Sequence, residues 1–213
     1  SSRSVLVSSI RRRISSGEYF RGLGKIFTNK AAMGLCLMAG FRSMTQNGLL
    51  MFIPIYLANV LKVGPFMTGV GMFAMQVGGL FAGPIAGAWS DKIGRRPIVL
   101  GAATGTTVVV AFLAVAQSEY LFIAGVSMLG FVLFAIRPVI HSWMMDLTPS
   151  NMHGSATSAL FGVQSGLSFI VPIAGGWVAD AYGVGAVFYM LAGTMLIANV
   201  LVAMLPESER LEE

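Results

Sequence analysis

Gly79-Leu-Phe-Ala-Gly83-Pro84-Ile-Ala-Gly87-Ala-Trp89-Ser-Asp91-Lys92-Ile-Gly94-Arg95-Arg96-Pro97 decides the fold. An apolar run with a small residue at every fourth position stops at an acid, three cations and a glycine, and a new apolar run starts at Pro97. The pattern reads as a membrane helix, a tight basic turn and the next membrane helix. Gly79, Gly83 and Gly87 fall on one helical face and invite close approach by a neighbouring helix. Asp91 sits just past the hydrocarbon, where it can accept hydrogen bonds from a helix N-terminus. Gly94 permits the turn, and Lys92, Arg95 and Arg96 hold the loop in the cytoplasm.

Composition widens this into a class. Of 213 residues, 55% are hydrophobic and only 11% charged, against about a quarter charged in a soluble domain. The charges cluster between apolar runs, so the formal net charge of +5 marks cytoplasmic loops and not a nucleic-acid surface. The single cysteine, Cys36, lies in an apolar run and excludes an internal disulfide and any cysteine-based metal site. It reads as a small buried hydrophobe. No HExxH, G-x-S-x-G, phosphate loop or dinucleotide fingerprint occurs, and no two carboxylates share a face inside the membrane, so an enzyme, a metal site and a cofactor are not expected. The Arg-rich start has no initiator Met and no cleavable signal pattern, so the sequence reads as beginning partway through a longer protein.

Six apolar segments run roughly over 31–61, 65–89, 97–117, 120–146, 154–178 and 184–205. Each reaches the ~20 residues that cross ~30 Å of hydrocarbon. The expected fold is therefore an all-α integral membrane bundle of six helices over 31–206. Before it, residues 1–30 form a basic cytoplasmic linker, read either as a helix lying on an anionic leaflet, since Val7, Ile10 and Ile14 recur at helical spacing beside Arg11 to Arg13, or as a flexible linker, given Ser15-Ser16-Gly17 and the Gly22/Gly24 pair. Residues 207–213 form a cytoplasmic tail. Positive-inside counting puts both termini and the 90–96 loop inside, and Lys62, Glu119 and Asp180 outside.

An internal repeat refines the architecture. Gln76-x-Gly78 followed by Pro84-Ile-Ala-Gly87-Ala-Trp89 returns 88 residues later as Gln164-x-Gly166 followed by Pro172-Ile-Ala-Gly175-Gly176-Trp177. The first copy ends in Asp91-Lys-Ile-Gly94-Arg-Arg, the second in Asp180-Ala-Tyr-Gly183 without a cation. One copy ends inside and the other outside, so two three-helix units run in opposite directions. Pro84 and Pro172, with the small residues beside them, are expected to bend and pack helices.

The G-x-x-x-D-K-x-G-R-R spacing formed by Gly87, Asp91, Lys92, Gly94, Arg95 and Arg96 resembles the signature loop of major facilitator superfamily transporters. Arg137-Pro138, Asp146-Leu-Thr-Pro149, Gly154 and Pro206-Glu207-Ser208 extend the resemblance over 31 to about 208. Within that family the chain looks like the C-terminal six-helix half, helices seven to twelve, preceded by the inter-half linker. The contexts of Arg42 and Arg137 are similar to bacterial drug-efflux members of the fosmidomycin-resistance type. The resemblance implies secondary active transport of a small solute by alternating access, as symporter or antiporter, in a bacterial inner membrane. It also implies a missing N-terminal half as partner, besides the lipid bilayer. It further implies a gate, in which Asp91 caps a helix of that other half and Arg95 pairs with Asp146.

Two arginines stand inside the apolar runs. Arg42 and Arg137 lie about 14–17 Å from the cytoplasmic ends of their helices at 1.5 Å per residue, near the midplane. Such a charge costs at least ~2.5 kcal/mol in hydrocarbon, so each is expected to face water or a partner. Gln46 follows Arg42 and His141 follows Arg137 by one turn, with Asn47 at an angle to the first pair. One reading is a substrate site of Arg42, Gln46, Asn47, Arg137 and His141 for a carboxylate, phosphate or phosphonate. A second is structural: the arginines pair with acids of the missing half or with backbone carbonyls. A third makes His141 the carrier of a coupling proton. Gln76, Gln164 and Asn199 are expected to hydrogen-bond between helices, and His153 to lie in a solvated loop. A non-transporting sensor or assembly module that keeps the fold is the competing function, and it would tend to have apolar stripes where these polar residues stand.

Overall fold

The structure, a computed structural model, describes residues 24, 26 and 28–205. Apart from residues 24, 26 and 28–30, the linker expected over 1–30 lies outside the described residues, as does the 207–213 tail. The described chain is helical throughout: α1 (Lys30–Asn59), α2 (Pro65–Ile93), α3 (Arg95–Val115), α4 (Glu119–Asp146), a 3-10 turn (Ser150–Met152), α5 (His153–Ser168), α6 (Val171–Tyr182) and α7 (Val184–Met204). Asn29 starts α1, its side-chain oxygen accepting from the amides of Ala31 at 3.0 Å and Ala32 at 3.4 Å.

Two features differ from expectation. Among the described residues five spans are long and apolar enough to cross a membrane: α2, α3, α4, Ser150–Tyr182 and α7. The remaining helix, α1, is 30 residues long, but Arg42, Ser43, Thr45, Gln46 and Asn47 make its middle polar. The fifth expected segment is broken into α5 and α6 at Phe169–Ile170. Pro172 has no amide to give the Ser168 carbonyl, and the chain turns there through Phe169 N–H to Ser165 C=O and Ile170 N–H to Leu167 C=O. Asn47 Nδ2 donates to Ser168 Oγ at 2.9 Å and Ser168 Oγ to Ser43 Oγ at 3.1 Å, so α1 holds the broken end. Pro84, the equivalent residue of the other copy, stays inside a continuous α2.

The two units interlock. Helix α4 of the second unit packs against α2 and α3 of the first, and α1 of the first packs against α5 and α7 of the second, with α3 against α7 along the back. Exchanging the units maps this set of neighbours onto itself, as an inverted repeat requires. The turns obey the same relation. Gly94 (φ 106) joins α2 to α3 and Gly183 (φ 87) joins α6 to α7, each with its amide bonded four residues back, to Ser90 at 3.0 Å and Ala179 at 2.9 Å. Both lie where only glycine is at ease, which accounts for the matched glycines of the two copies.

The closest crossing is not the one the glycine stripe predicts. A Cβ on Gly130 of α4 would meet the Met75 carbonyl, and one on Gly78 would lie 3.1 Å from the backbone of Phe131 and Ser127. Helix α2 therefore buries Gly71, Met75, Ala82, Ala86 and Ser90. The stripe one residue along looks past the edge of α4: Gly79 abuts the Phe134 ring, Gly83 reaches only Pro138 at 3.9 Å, and Gly87 has nothing within 4 Å, as is also true of Gly176 on α6. Gly175 does pack closely, against the ring of Phe52 on α1. Between α3 and α7, Asn199 behaves as expected, accepting from Thr104 at 3.1 Å and donating to Thr107 at 2.7 Å. Gln76 is exposed and Gln164 half-buried, and neither has a side-chain hydrogen bond among the described residues.

Two apolar clusters stack along the bundle. One gathers Leu35, Ala39, Ile140, Trp143, Leu160 and Val202; the other gathers Leu49, Ile53, Val110, Phe122, Leu129 and Phe188. Between them lies a buried polar layer of Arg42, Thr45 and Thr106. Thr45 meets Thr194 at 2.9 Å, closing that layer between α1 and α7.

Candidate functional site

Helices α1 and α4, the first of each unit, bring the two arginines into electrostatic reach of each other and of His141. Their surroundings differ sharply. Arg42 is only 3% exposed; its Nη2 donates to the Leu133 carbonyl at 2.7 Å, and its Nε is buried with no partner. Leu133 precedes by one residue the Phe134 carbonyl, which Pro138 leaves without an amide inside α4. A carbonyl oxygen has two lone pairs, and a buried guanidinium is a matching donor for the second one at Leu133. Of the alternatives open from the sequence, Arg42 follows the second, a bond to a backbone carbonyl, and it ties α1 to α4.

Arg137 does the opposite. It is exposed and has no hydrogen bond or ion pair among the described residues. One turn on, the half-buried His141 ring lies 5.2 Å from the ring of Phe161 on α5, itself 41% exposed. Gln46, half-buried on α1, makes no hydrogen bond among the described residues, whereas Asn47 is engaged with Ser43 and Ser168. Of the five expected site residues, Arg137, His141 and Gln46 are therefore the ones with no hydrogen bond among the described residues. Asp91, Glu119, Asp146 and Asp180, the acids among the described residues, all stand at helix ends, so none lies at the depth of the arginines.

At the end of the bundle that carries the 90–96 turn, the signature loop is tied down within this chain. Arg95 Nε donates to Asp146 Oδ2 at 3.0 Å, and its Nη1 donates to Ser90 Oγ at 2.7 Å and to Asp91 Oδ1. The Arg95 side chain is 18% exposed, while those of Asp91 and Asp146 are 63% and 43% exposed. Ion pairs so open to water contribute about 0.2–1 kcal/mol each, which suits contacts that break and re-form. Arg96 Nη2 donates to the Ala203 carbonyl in the last turn of α7, where a cation also meets the negative end of the helix dipole. That contact was not legible in the sequence, since nothing marks which helix end faces the loop. Lys92 is exposed. His153 is half-buried, not solvated as expected, with Nε2 at 3.1 Å from the Thr148 carbonyl.

Comparison with known proteins fits this arrangement. Multidrug resistance protein MdtG of Serratia proteamaculans is 34% identical over 122 residues, 56% of this chain and 29% of that protein. The proline/betaine transporter of Escherichia coli K12 is 28% identical over 142 residues, 65% of this chain and 28% of its own length. Among solved structures, a bacterial homologue of the iron transporter ferroportin in its outward-facing state superposes with a TM-score of 0.72 at 15% identity, covering 83% of this chain and 45% of that one. The POT family transporter PepTSo gives 0.72 at 16% identity, covering 86% and 39%. The chain thus spans less than half the length of the proteins it matches. The sequence profile of the Major Facilitator Superfamily matches residues 35–213. With its apolar spans and interlocked inverted units, the chain is an integral membrane protein and belongs to the Major Facilitator Superfamily.

Proposed function

We propose that this chain is the C-terminal half of a secondary transporter that moves a small organic anion or anionic drug by alternating access. Its site would be shared with an N-terminal six-helix half. The observation that carries the reading is Arg137: an exposed guanidinium in the middle of α4, without a partner among the described residues, where an unneutralised charge is costly unless it meets water or a ligand. His141 and Gln46 add hydrogen-bonding groups to its side of the site, and the buried charge of Arg42 adds to the positive field. An assembly module would have little use for such a stripe. Relatives named for drugs and for proline and betaine agree with a small solute.

In this reading the Arg95 contacts form the cytoplasmic latch. With the latch closed the outward-open state is favoured, and a ligand shifts the balance by binding the two states unequally. Uptake of an organic anion into vesicles holding the full-length protein should exceed that of empty vesicles and should fall when either Arg95→Asp or Asp146→Arg is introduced. The double exchange should recover part of the rate, and not all, because the carboxylate introduced at position 95 would then face Asp91. Uptake equal to empty vesicles contradicts the transport reading, and a strictly additive loss in the double variant contradicts the latch.

A further inference from the structure

We infer that the site selects a solute bearing one negative charge and an apolar, ring-bearing body, and that the two arginines divide the work. This rests on the anion-transport reading above. A guanidinium grips one carboxylate through two parallel N–H bonds, and among the described residues of this chain the site has one guanidinium free to do so, that of Arg137. Arg42 is 3% exposed and committed at 2.7 Å to the Leu133 carbonyl. To reach a second anionic group it would have to leave both its burial and that bond. Its contribution is then a fixed positive field and a tie between α1 and α4, which makes it a positioning residue. His141, one turn along α4 from Arg137, offers a ring N–H as a hydrogen-bond donor. One carboxylate is satisfied there, and a second finds no free cation among this chain's described residues, so it would leave water at a cost of several-fold to many-fold in affinity.

The walls speak to the rest of the solute. Phe161 from α5 leans on the His141 ring at 5.2 Å and keeps 41% of its surface exposed, so an apolar face continues directly from the polar one. A ring held by Arg137 through its carboxylate would lie against Phe161, where aromatic contact adds to apolar burial. A small anion without a body would leave that face wet.

Four compounds of related outline separate these statements: 4-nitrobenzoate, terephthalate, acetate and 4-nitrobenzamide. Terephthalate has nearly the shape of 4-nitrobenzoate with a second carboxylate in place of the nitro group. Equilibrium binding of labelled 4-nitrobenzoate to the purified full-length protein is expected. Terephthalate and acetate should each compete at least about tenfold more weakly, and the uncharged amide should not compete. Phe161→Ala should narrow the gap between 4-nitrobenzoate and acetate, while Arg42→Lys should leave the order of the four unchanged. Terephthalate binding as tightly as 4-nitrobenzoate overturns the single-charge selection and leaves the anion reading standing. Acetate binding as tightly overturns the apolar body. The amide competing equally, or no binding of 4-nitrobenzoate at all, overturns the anion reading itself.

Discussion

Gly130→Ala should unfold the bundle or leave it barely stable, whereas Gly87→Ala, in the signature loop's own helix, should leave stability within about 0.5 kcal/mol of the parent. The added methyl on residue 130 would collide with the Met75 carbonyl oxygen and lie 2.7 and 2.8 Å from its carbonyl carbon and Cα. All three are backbone atoms, so no side chain can rotate away, and α2 and α4 must part. Overpacking of a close-packed interior costs about 1–3 kcal/mol when side chains can adjust, and here about 3 kcal/mol or more is expected because they cannot. At Gly87 a methyl would meet nothing within 4 Å. Melting temperatures of the two purified variants decide it. A Gly130→Ala protein as stable as the parent would mean that the α2–α4 crossing is not where the structure puts it.

The second large effect separates the arginines. Arg137→Ala in the full-length protein should cut anion transport by about 10- to 100-fold, the value of a charge-assisted hydrogen bond of about 1.5–3 kcal/mol, with little change in stability because the side chain is exposed. Arg42→Met should do the reverse. It removes a buried charge that has no acid among the described residues and an orphaned Nε, so folding should be unharmed or improved by as much as about 1–4 kcal/mol. Transport should fall only several-fold, through the lost field. Equal losses from both variants would show that Arg42 contacts the solute directly.

Much of the fold was legible because it is written in periodic or repeated features. Apolar run lengths gave the spans, and the offset between the Pro-Ile-Ala-Gly copies gave the antiparallel units. The glycines at 94 and 183 are matched because each copy needs a backbone conformation that other residues resist. The face by which α2 meets α4 was not legible. Stripes at 79, 83, 87 and at 71, 75, 78, 82, 86 both carry small residues at helical spacing, and only the crossing of a distant helix chooses between them. Gly130, between Leu129 and Phe131, has no small neighbour to mark it.

The site divides in the same way. Depth and residue type placed Arg42 and Arg137 at one level of the bilayer, but burial depends on what lies opposite. Arg42 finds a backbone carbonyl 91 residues away, and a carbonyl carries no residue identity to read. The one available signal was Pro138, which loosens the α4 ladder near Leu133. The break at Phe169–Ile170 was hidden for a related reason. Pro84 and Pro172 sit in the same motif, yet only Pro172 has Asn47 and Ser43 bonded to the hydroxyl of Ser168 beside it.

Arg137 facing water in the middle of the membrane is the central claim, and cysteine accessibility tests it directly. Arg137→Cys would be made in a full-length background lacking other cysteines and treated in intact membranes with a charged, water-soluble thiosulfonate. Rapid labelling, slowed by 4-nitrobenzoate, is the result expected. A thiol at position 137 that stays unlabelled by that reagent, while lipid-soluble maleimides modify it, would place this side of α4 against acyl chains, and the proposed site with it.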